Sequence, residues 1–146
     1  SNGGFEGIIM GKVVYITRRE TFAAAHRLFK PELSDEENFK MFGKCSNPNW
    51  HGHNYTLEVT VAGETSPDTG FVLDIKQLKE IIKEYVINKV DHKNLNLDNN
   101  FMKGFIPTSE NITTAIWNEL DDKIPGGKLY SVKLYETENN YFEYKG

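Results

Sequence analysis

Two histidines separated by one glycine, His51-Gly52-His53, follow Cys45, the only cysteine of the chain. Residues 55–61 then alternate between apolar and polar side chains, which predicts a half-buried β-strand. If that strand begins at the histidines, both imidazoles point to one face, with their Cα atoms about 6.5–7 Å apart. Imidazoles at this spacing can bind one metal ion, and the glycine between them lets a ligand or another backbone approach.

A third histidine, His26, ends another predicted strand, residues 12–26. Three neutral imidazoles bind Zn²⁺ and leave its fourth position open, as in catalytic zinc sites. Cys45 as a fourth ligand would instead close the shell and make a structural site, and the sequence leaves both interpretations open. The polar neighbours of Cys45 are unlike a core environment, and a nearby cation or metal would favour its reactive thiolate form.

Glu136 lies on the apolar face of a predicted strand, in step with Tyr130, Val132 and Leu134. A carboxylate on such a face is costly unless it is paired or hydrogen-bonded. A ligand with two N–H donors, such as a 2-amino-4-oxo-pyrimidine ring, would satisfy it. A salt bridge to a lysine or arginine is the competing interpretation.

Asp91 and His92 form a second candidate group, because a carboxylate can orient an imidazole that assists a thiol. Adjacent residues rarely hydrogen-bond side chain to side chain along an extended chain. We therefore expect this pair to act on groups from elsewhere in the fold or from another subunit.

The chain has 146 residues, which predicts one domain over residues 12–146, preceded by a flexible leader or tag remnant, residues 1–11. The net charge of −4 argues against general nucleic-acid binding. One cysteine cannot form an internal disulfide, which favours a reducing, cytoplasmic compartment. No apolar run approaches the ~18 residues of a membrane span.

The predicted elements alternate in a simple order. Strands are expected at residues 12–26, 53–61, 129–138 and 141–145, with Asn139-Asn140 as the last turn. Capping residues predict a short helix after Ser34, a helix after Asp74 ending near Lys89, and a helix that begins at residues 107–110. The third helix is expected to carry an apolar stripe made of Ile112, Ala115, Ile116 and Leu120. This order predicts an α+β fold, an antiparallel sheet with the two longer helices on one face.

Seven segments of the chain together resemble the 6-pyruvoyl-tetrahydropterin synthase family. They are residues 22–28, 33–38, 42–49, 51–55, 91–95, 108–111 and 135–137. The resemblance extends over residues 13–146. It implies the tunnelling fold, a four-stranded antiparallel sheet with two helices packed on one face. It also implies a homohexamer built as a dimer of trimers, with active sites at subunit interfaces.

The resemblance further implies zinc bound by the three histidines, Cys45 as the general base, and Asp91 and His92 assisting it. Glu136 would anchor the pterin ring and would also have a catalytic role in proton relay, and Thr108, Ser109 and Glu110 would make a second pterin contact. The implied reaction converts 7,8-dihydroneopterin triphosphate to 6-pyruvoyl-tetrahydropterin and triphosphate, a step of tetrahydrobiopterin biosynthesis. Arg27 or Lys93 could meet the triphosphate.

Two alternatives accompany this interpretation. The related 6-carboxy-tetrahydropterin synthases of deazapurine biosynthesis usually have three residues between the cysteine and the histidine pair, and this chain has five, residues 46–50. A non-catalytic, zinc-stabilised pterin-binding module is the other alternative. One position departs from the family pattern, because Trp50 stands where glycine is usual.

Overall fold

The computed structural model of the protein describes residues 12–98 and 102–146. The predicted leader, residues 1–11, lies outside the described residues. The strands are β1 (Val13–His26), β2 (His51–Glu64), β3 (Lys93–Asn94), β4 (Lys128–Thr137) and β5 (Asn140–Tyr144). The helices are α1 (Asp35–Phe42), α2, which runs through Ile75–Ile82, a π-helical turn Lys83–Ile87 and a last turn Asn88–Val90, and α3 (Ser109–Leu120).

The strands form one sheet in the order β3-β1-β2-β4-β5. β1 and β2 pair antiparallel along their whole length, from Val13 opposite Glu64 to His26 opposite His51. β2 with β4 and β4 with β5 are antiparallel as well. The α+β class and the antiparallel arrangement of the four long strands are therefore as predicted.

The expected count of four strands is wrong by one short strand. Residues Lys93 and Asn94 pair parallel with Ala24 and Ala25 at the outer edge of β1. The flanking amide of Leu95 donates to the Ala25 carbonyl at 2.8 Å, so this segment covers backbone groups that an edge strand leaves unpaired. A two-residue strand is too short to show an alternating pattern, so the sequence contains no signal for it.

Helices α2 and α3 pack on one face of the sheet and build the core with it. Leu57, Val59 and Val61 of β2 are fully buried beneath both helices. The predicted apolar stripe of α3 is confirmed, because all of its members are buried. They are Ile112, Ala115, Ile116 and Leu120. The described helices include none whose length and apolar character would suffice to cross a membrane.

Side-chain caps fix where the helices begin. Ser34 and Glu37 form the predicted capping box at the start of α1, with the Glu37 amide donating to Ser34 Oγ at 3.1 Å. Asp74 and Thr108 cap α2 and α3 in the same general way. Each cap satisfies a backbone amide in the first turn of its own helix.

Strand β4 departs from the predicted alternation near its two ends. Thr60 faces Ser131 but Val61 faces Leu129, so β4 contains a β-bulge at Tyr130. The bulge turns Leu129 into the core and leaves Tyr130 38% exposed. The prediction that Tyr130 lies on the core face is therefore wrong. The tight turn between β4 and β5 is made by residues 138 and 139, one residue earlier than predicted.

Candidate active site

The three predicted metal ligands meet at one end of the core face of the sheet. His26 ends β1 and His51 begins β2, directly opposite each other in the sheet, and His53 follows two residues on along the same face. The ring centroid of His26 lies 4.4 Å from that of His51 and 5.1 Å from that of His53. One ring nitrogen from each histidine lies within 4.8 Å of the others. The structure therefore brings the three imidazoles together as the sequence predicted.

A backbone carbonyl fixes the orientation of His26. Its Nδ1 lies 2.8 Å from the Pro107 oxygen, at the entrance to α3. Because a carbonyl can only accept, Nδ1 carries the proton and Nε2 keeps a free lone pair. This partner is a backbone atom far away in sequence, and the residue pattern gave no signal for it.

Several ring nitrogens of the three histidines have no hydrogen-bond partner among residues 12–98 and 102–146. Nε2 of His26, both ring nitrogens of His51 and Nε2 of His53 are buried and make no hydrogen bond. Burial lowers the pKa of His26 to about 4, and repulsion from the other two histidines adds to this effect. Burial also lowers the pKa of His51, with a further contribution from His53. At neutral pH the imidazoles of His26 and His51 are therefore neutral, the form that binds a metal.

These residues fit a divalent cation such as zinc, since buried and unpaired nitrogens converge and an outer hydrogen bond orients one ring. Cys45 is not a member of the converging group. The geometry thus favours three nitrogen ligands over a shell closed by the sulfur.

Glu136 lies beside the histidines, on the core face of β4 beyond Leu134. Its Oε1 is 3.8 Å from Nε2 of His53, and its Oε2 accepts a short hydrogen bond from the Ser109 hydroxyl. No lysine or arginine pairs with Glu136 among residues 12–98 and 102–146, so the predicted salt-bridge alternative is wrong. The carboxylate is 30% exposed and can meet a ligand from the open side of the site.

The three residues of the segment 108–110 contribute unequally to the candidate site. Ser109 is buried and holds Glu136. Thr108 caps α3, where its hydroxyl oxygen accepts from the Asn111 amide at 3.2 Å. Glu110 is exposed in the first turn of the helix. Of the three predicted substrate contacts, Ser109 is the one that the structure joins to the histidine and glutamate groups.

Cys45 sits in a short 3₁₀ turn, Gly43–Ser46, between α1 and β2. It is half-buried, with a free thiol. Its carbonyl accepts from the Leu28 amide at 2.8 Å, so the turn is attached to the chain just after His26. Trp50, at the other end of this loop, has φ 67°, a left-handed conformation that a bulky residue rarely adopts.

Asp91 and His92 contact each other, contrary to the expectation for adjacent residues. Asp91 Oδ2 lies 3.2 Å from His92 Nδ1, while Oδ1 accepts from the Ala23 amide at 2.9 Å. The contact is possible because His92 has φ 59°, and this left-handed turn folds its ring back on the carboxylate. The hydrogen bond from the Ala23 amide is the largest of the effects that lower the pKa of Asp91, so the carboxylate stays ionised.

The imidazole of His92 is 83% exposed and borders an open cleft of about 530 Å³ that His53 and Gly52 also line. No hydrogen bond joins it to Cys45 in the described part of the chain. One chain alone therefore assembles the histidines with Glu136, and Asp91 with His92, but does not join the thiol to His92.

The structure adds Tyr55 to the site, a residue that the sequence analysis did not single out. It is fully buried, stacks on Phe22 at 4.9 Å and lies edge-on to His53 at 5.6 Å. Its hydroxyl has no hydrogen-bond partner within the part of the chain that the structure describes. Burial, followed by the nearby charges of Glu136 and Cys45, raises its pKa, so the hydroxyl stays protonated. The spacing could have revealed it, because Tyr55 follows His53 by two residues on the same face.

Comparisons with known proteins agree with this architecture. The family model described as 6-pyruvoyl tetrahydropterin synthase matches residues 15–146. The 6-pyruvoyl tetrahydrobiopterin synthase of Pongo abelii is 50% identical over 131 residues, which cover 90% of each chain. A solved structure of Caenorhabditis elegans 6-pyruvoyl tetrahydropterin synthase, 42% identical, covers 93% of this chain and 97% of its own, with a TM-score of 0.87.

A relative named 6-carboxy-5,6,7,8-tetrahydropterin synthase is less similar. That of Rickettsia felis is 30% identical over an alignment of 149 positions, which covers 90% of this chain and 99% of the relative.

The sheet and its two packed helices are those of the tunnelling-fold pterin enzymes. Within that class, the chain belongs to the 6-pyruvoyl tetrahydropterin synthase family. It is an enzyme, a lyase like its curated relatives.

Proposed function

We propose that this protein converts 7,8-dihydroneopterin triphosphate to 6-pyruvoyl-tetrahydropterin, with elimination of triphosphate, and that it requires zinc. The observation that carries the proposal is the convergence of histidine nitrogens that have no hydrogen-bond partner among the described residues, beside a carboxylate that no described lysine or arginine contacts. The relatives named 6-pyruvoyl tetrahydrobiopterin synthase support it, since the chain is 50% identical over 131 residues to the one from Pongo abelii.

His26, His51 and His53 would hold the zinc ion. When bound, the ion supplies Lewis acidity to the hydroxyl oxygens of the substrate side chain, which makes the neighbouring C–H and O–H groups easier to deprotonate. The Pro107 carbonyl would keep the His26 ring in its ligand orientation, as outer-shell partners commonly do.

Glu136 would anchor the pterin ring, since its exposed carboxylate edge can accept two N–H bonds from a 2-amino-4-oxo-pyrimidine. Ser109 supports this role, because its hydroxyl occupies one lone pair of Oε2 and fixes the carboxylate plane. A ring fixed at Glu136 would place the substrate side chain over the histidine cluster, and such positioning lowers the barrier to reaction. Thr108 and Glu110 would contribute at the rim of the same pocket.

Cys45 would act as the general base that removes and returns the side-chain protons. Asp91 would orient His92, as their 3.2 Å contact indicates, and His92 would assist the thiol. The reaction needs no external oxidant, because the side-chain oxidation and the ring reduction are internal to the substrate.

An assembly would complete this site. The exposure of His92 and its lack of a bond to Cys45 within the described chain favour an active site shared between subunits. We propose a homohexamer of two stacked trimers, located in the cytoplasm. Exposed apolar residues on the sheet, Val13, Val14 and Tyr15, give that assembly surface to bury.

The decisive experiment incubates the protein with dihydroneopterin triphosphate and measures triphosphate release, the pterin product and zinc content on one sample. Cys45→Ala should abolish most turnover and keep the zinc, whereas His51→Ala should lose both. If Cys45→Ala strips the metal, a closed structural site is the better account. If the wild-type protein yields a 6-carboxy product, or binds pterin without turnover, the proposed reaction is wrong.

A further inference from the structure

Two hydrogen bonds from consecutive residues attach the Cys45 turn to the end of β1. The Leu28 amide donates to the Cys45 carbonyl at 2.8 Å, and Nε of Arg27 donates to the Ser46 carbonyl at 2.7 Å. Both donors follow His26 directly in the chain. The distance between the thiol and the histidine cluster therefore depends on residues 27 and 28.

The side chain of Arg27 is held in place on several sides. One terminal nitrogen lies 3.3 Å from Asp35 of α1, and the guanidinium stacks on the Phe29 ring at 4.1 Å. The side chain is only 13% exposed. The guanidinium nitrogens of Arg27 contact Ser46 and Asp35, and one face of the guanidinium contacts Phe29. Arg27 is therefore not the free cation that the sequence suggested for triphosphate binding.

The backbone of Arg27 is clamped as well. The Asn96 side chain accepts from the Arg27 amide at 2.9 Å and donates to the Arg27 carbonyl at 2.9 Å. Asn96 lies four residues after His92, in the connection beyond β3. Arg27 thus touches the loop of the thiol on one side and the segment of the Asp91–His92 pair on the other.

We propose that Arg27, clamped by Asn96, is a positioning residue that sets the location of Cys45 relative to the histidine cluster. The importance of that location rests on the proposed function of Cys45 as the base. A general base must stand within hydrogen-bond reach of the proton it removes. Misplacement of about 1 Å can lower a rate by about 10²-fold, so loss of one of the two attachments to β1 should be visible in turnover.

Arg27→Met tests the proposal, because methionine fills much of the same volume and keeps an apolar contact with Phe29 but cannot donate to Ser46. We expect kcat to fall by roughly tenfold or more while KM changes by less than about twofold. Alkylation of Cys45 by iodoacetamide at fixed pH should become at least roughly threefold faster, because a looser turn exposes the half-buried sulfur more often. Zinc content should not change.

Asp35→Asn is the matched control. It removes the ion pair of Arg27 but leaves the bond to Ser46 intact, and Asp35 is 82% exposed, so kcat and alkylation should stay at wild-type values. Asn96→Ala should move both readouts in the same direction as Arg27→Met. If Arg27→Met does not fold, Arg27→Lys is judged by the same readouts, since a lysine ammonium cannot reproduce the fork that joins Ser46 and Asp35.

Two results would overturn the proposal. Unchanged kcat and alkylation in Arg27→Met would show that Leu28 alone holds the turn. A large rise of KM with unchanged kcat and alkylation would instead assign Arg27 to the triphosphate. The alkylation rate does not depend on turnover, so faster alkylation in a protein that releases no triphosphate would refute the proposed function and leave the positioning role standing.

Discussion

Removal of the titratable ring at position 26 should make the metal-free protein less sensitive to acid. In the unfolded chain this histidine titrates near 6.5, but burial lowers its pKa in the folded protein to about 4. Above pH 6.5 neither state binds the proton. As the pH falls from 6.5 toward 4, the unfolded chain gains a proton that the folded protein excludes, so the free energy of unfolding decreases. At about 1.4 kcal/mol for each tenfold change in proton affinity, the full decrease in the free energy of unfolding is about 3.5 kcal/mol.

The assay is urea unfolding of protein stripped of metal, at pH 7.5 and pH 4.5, for the wild type and for His26→Asn. Asparagine can still donate to the Pro107 carbonyl but does not ionise. Other carboxylates and histidines titrate in both proteins and cancel in the comparison. The wild type should lose roughly 2–3 kcal/mol more than the variant between the two pH values. Parallel losses, within about 0.5 kcal/mol, would mean that burial does not hold this imidazole neutral.

Two further predictions concern the residues around the site. Trp50→Gly should be more stable than Trp50→Ala by roughly 1 kcal/mol in thermal unfolding, because φ 67° costs an L-residue but not glycine; equal stability of the two variants would contradict the left-handed conformation. Glu136→Ala should weaken binding of a pterin at least roughly tenfold, measured by fluorescence titration, while its melting temperature stays within a few degrees of the wild type because the carboxylate is partly exposed. Unchanged affinity with a lowered melting temperature would instead make Glu136 a structural residue.

Local patterns were enough to predict most of the framework and the metal ligands. The capping box at Ser34, the stripe that ends at Leu120 and the two long strands depend on spacing within one element, which the sequence displays directly. His26 and His51 could be placed together because both mark strand ends.

The features that were missed depend on contacts between distant parts of the chain. The Pro107 carbonyl that orients His26 is a backbone atom with no residue-type signal, and β3 is too short to show a period. The bulge at Tyr130 shifts the alternation by one residue, which a strict period of two cannot foresee. The charge of Arg27 suggested a contact with the triphosphate, because charge can be read from the sequence. The contacts of Arg27 with Ser46 and Asp35 form only in the fold and cannot be read in that way.

The direct pairing of His26 with His51 makes the metal centre tolerant of some changes in chain length and intolerant of others. Insertions in the connection between them, residues 27–50, leave both ends of the two strands facing each other. Relatives with longer or shorter connections there could keep the same ligands. A single-residue deletion within either strand would move a ligand to the opposite side of the sheet. The metal centre should therefore survive loop grafting but not a register shift of one residue inside β1 or β2.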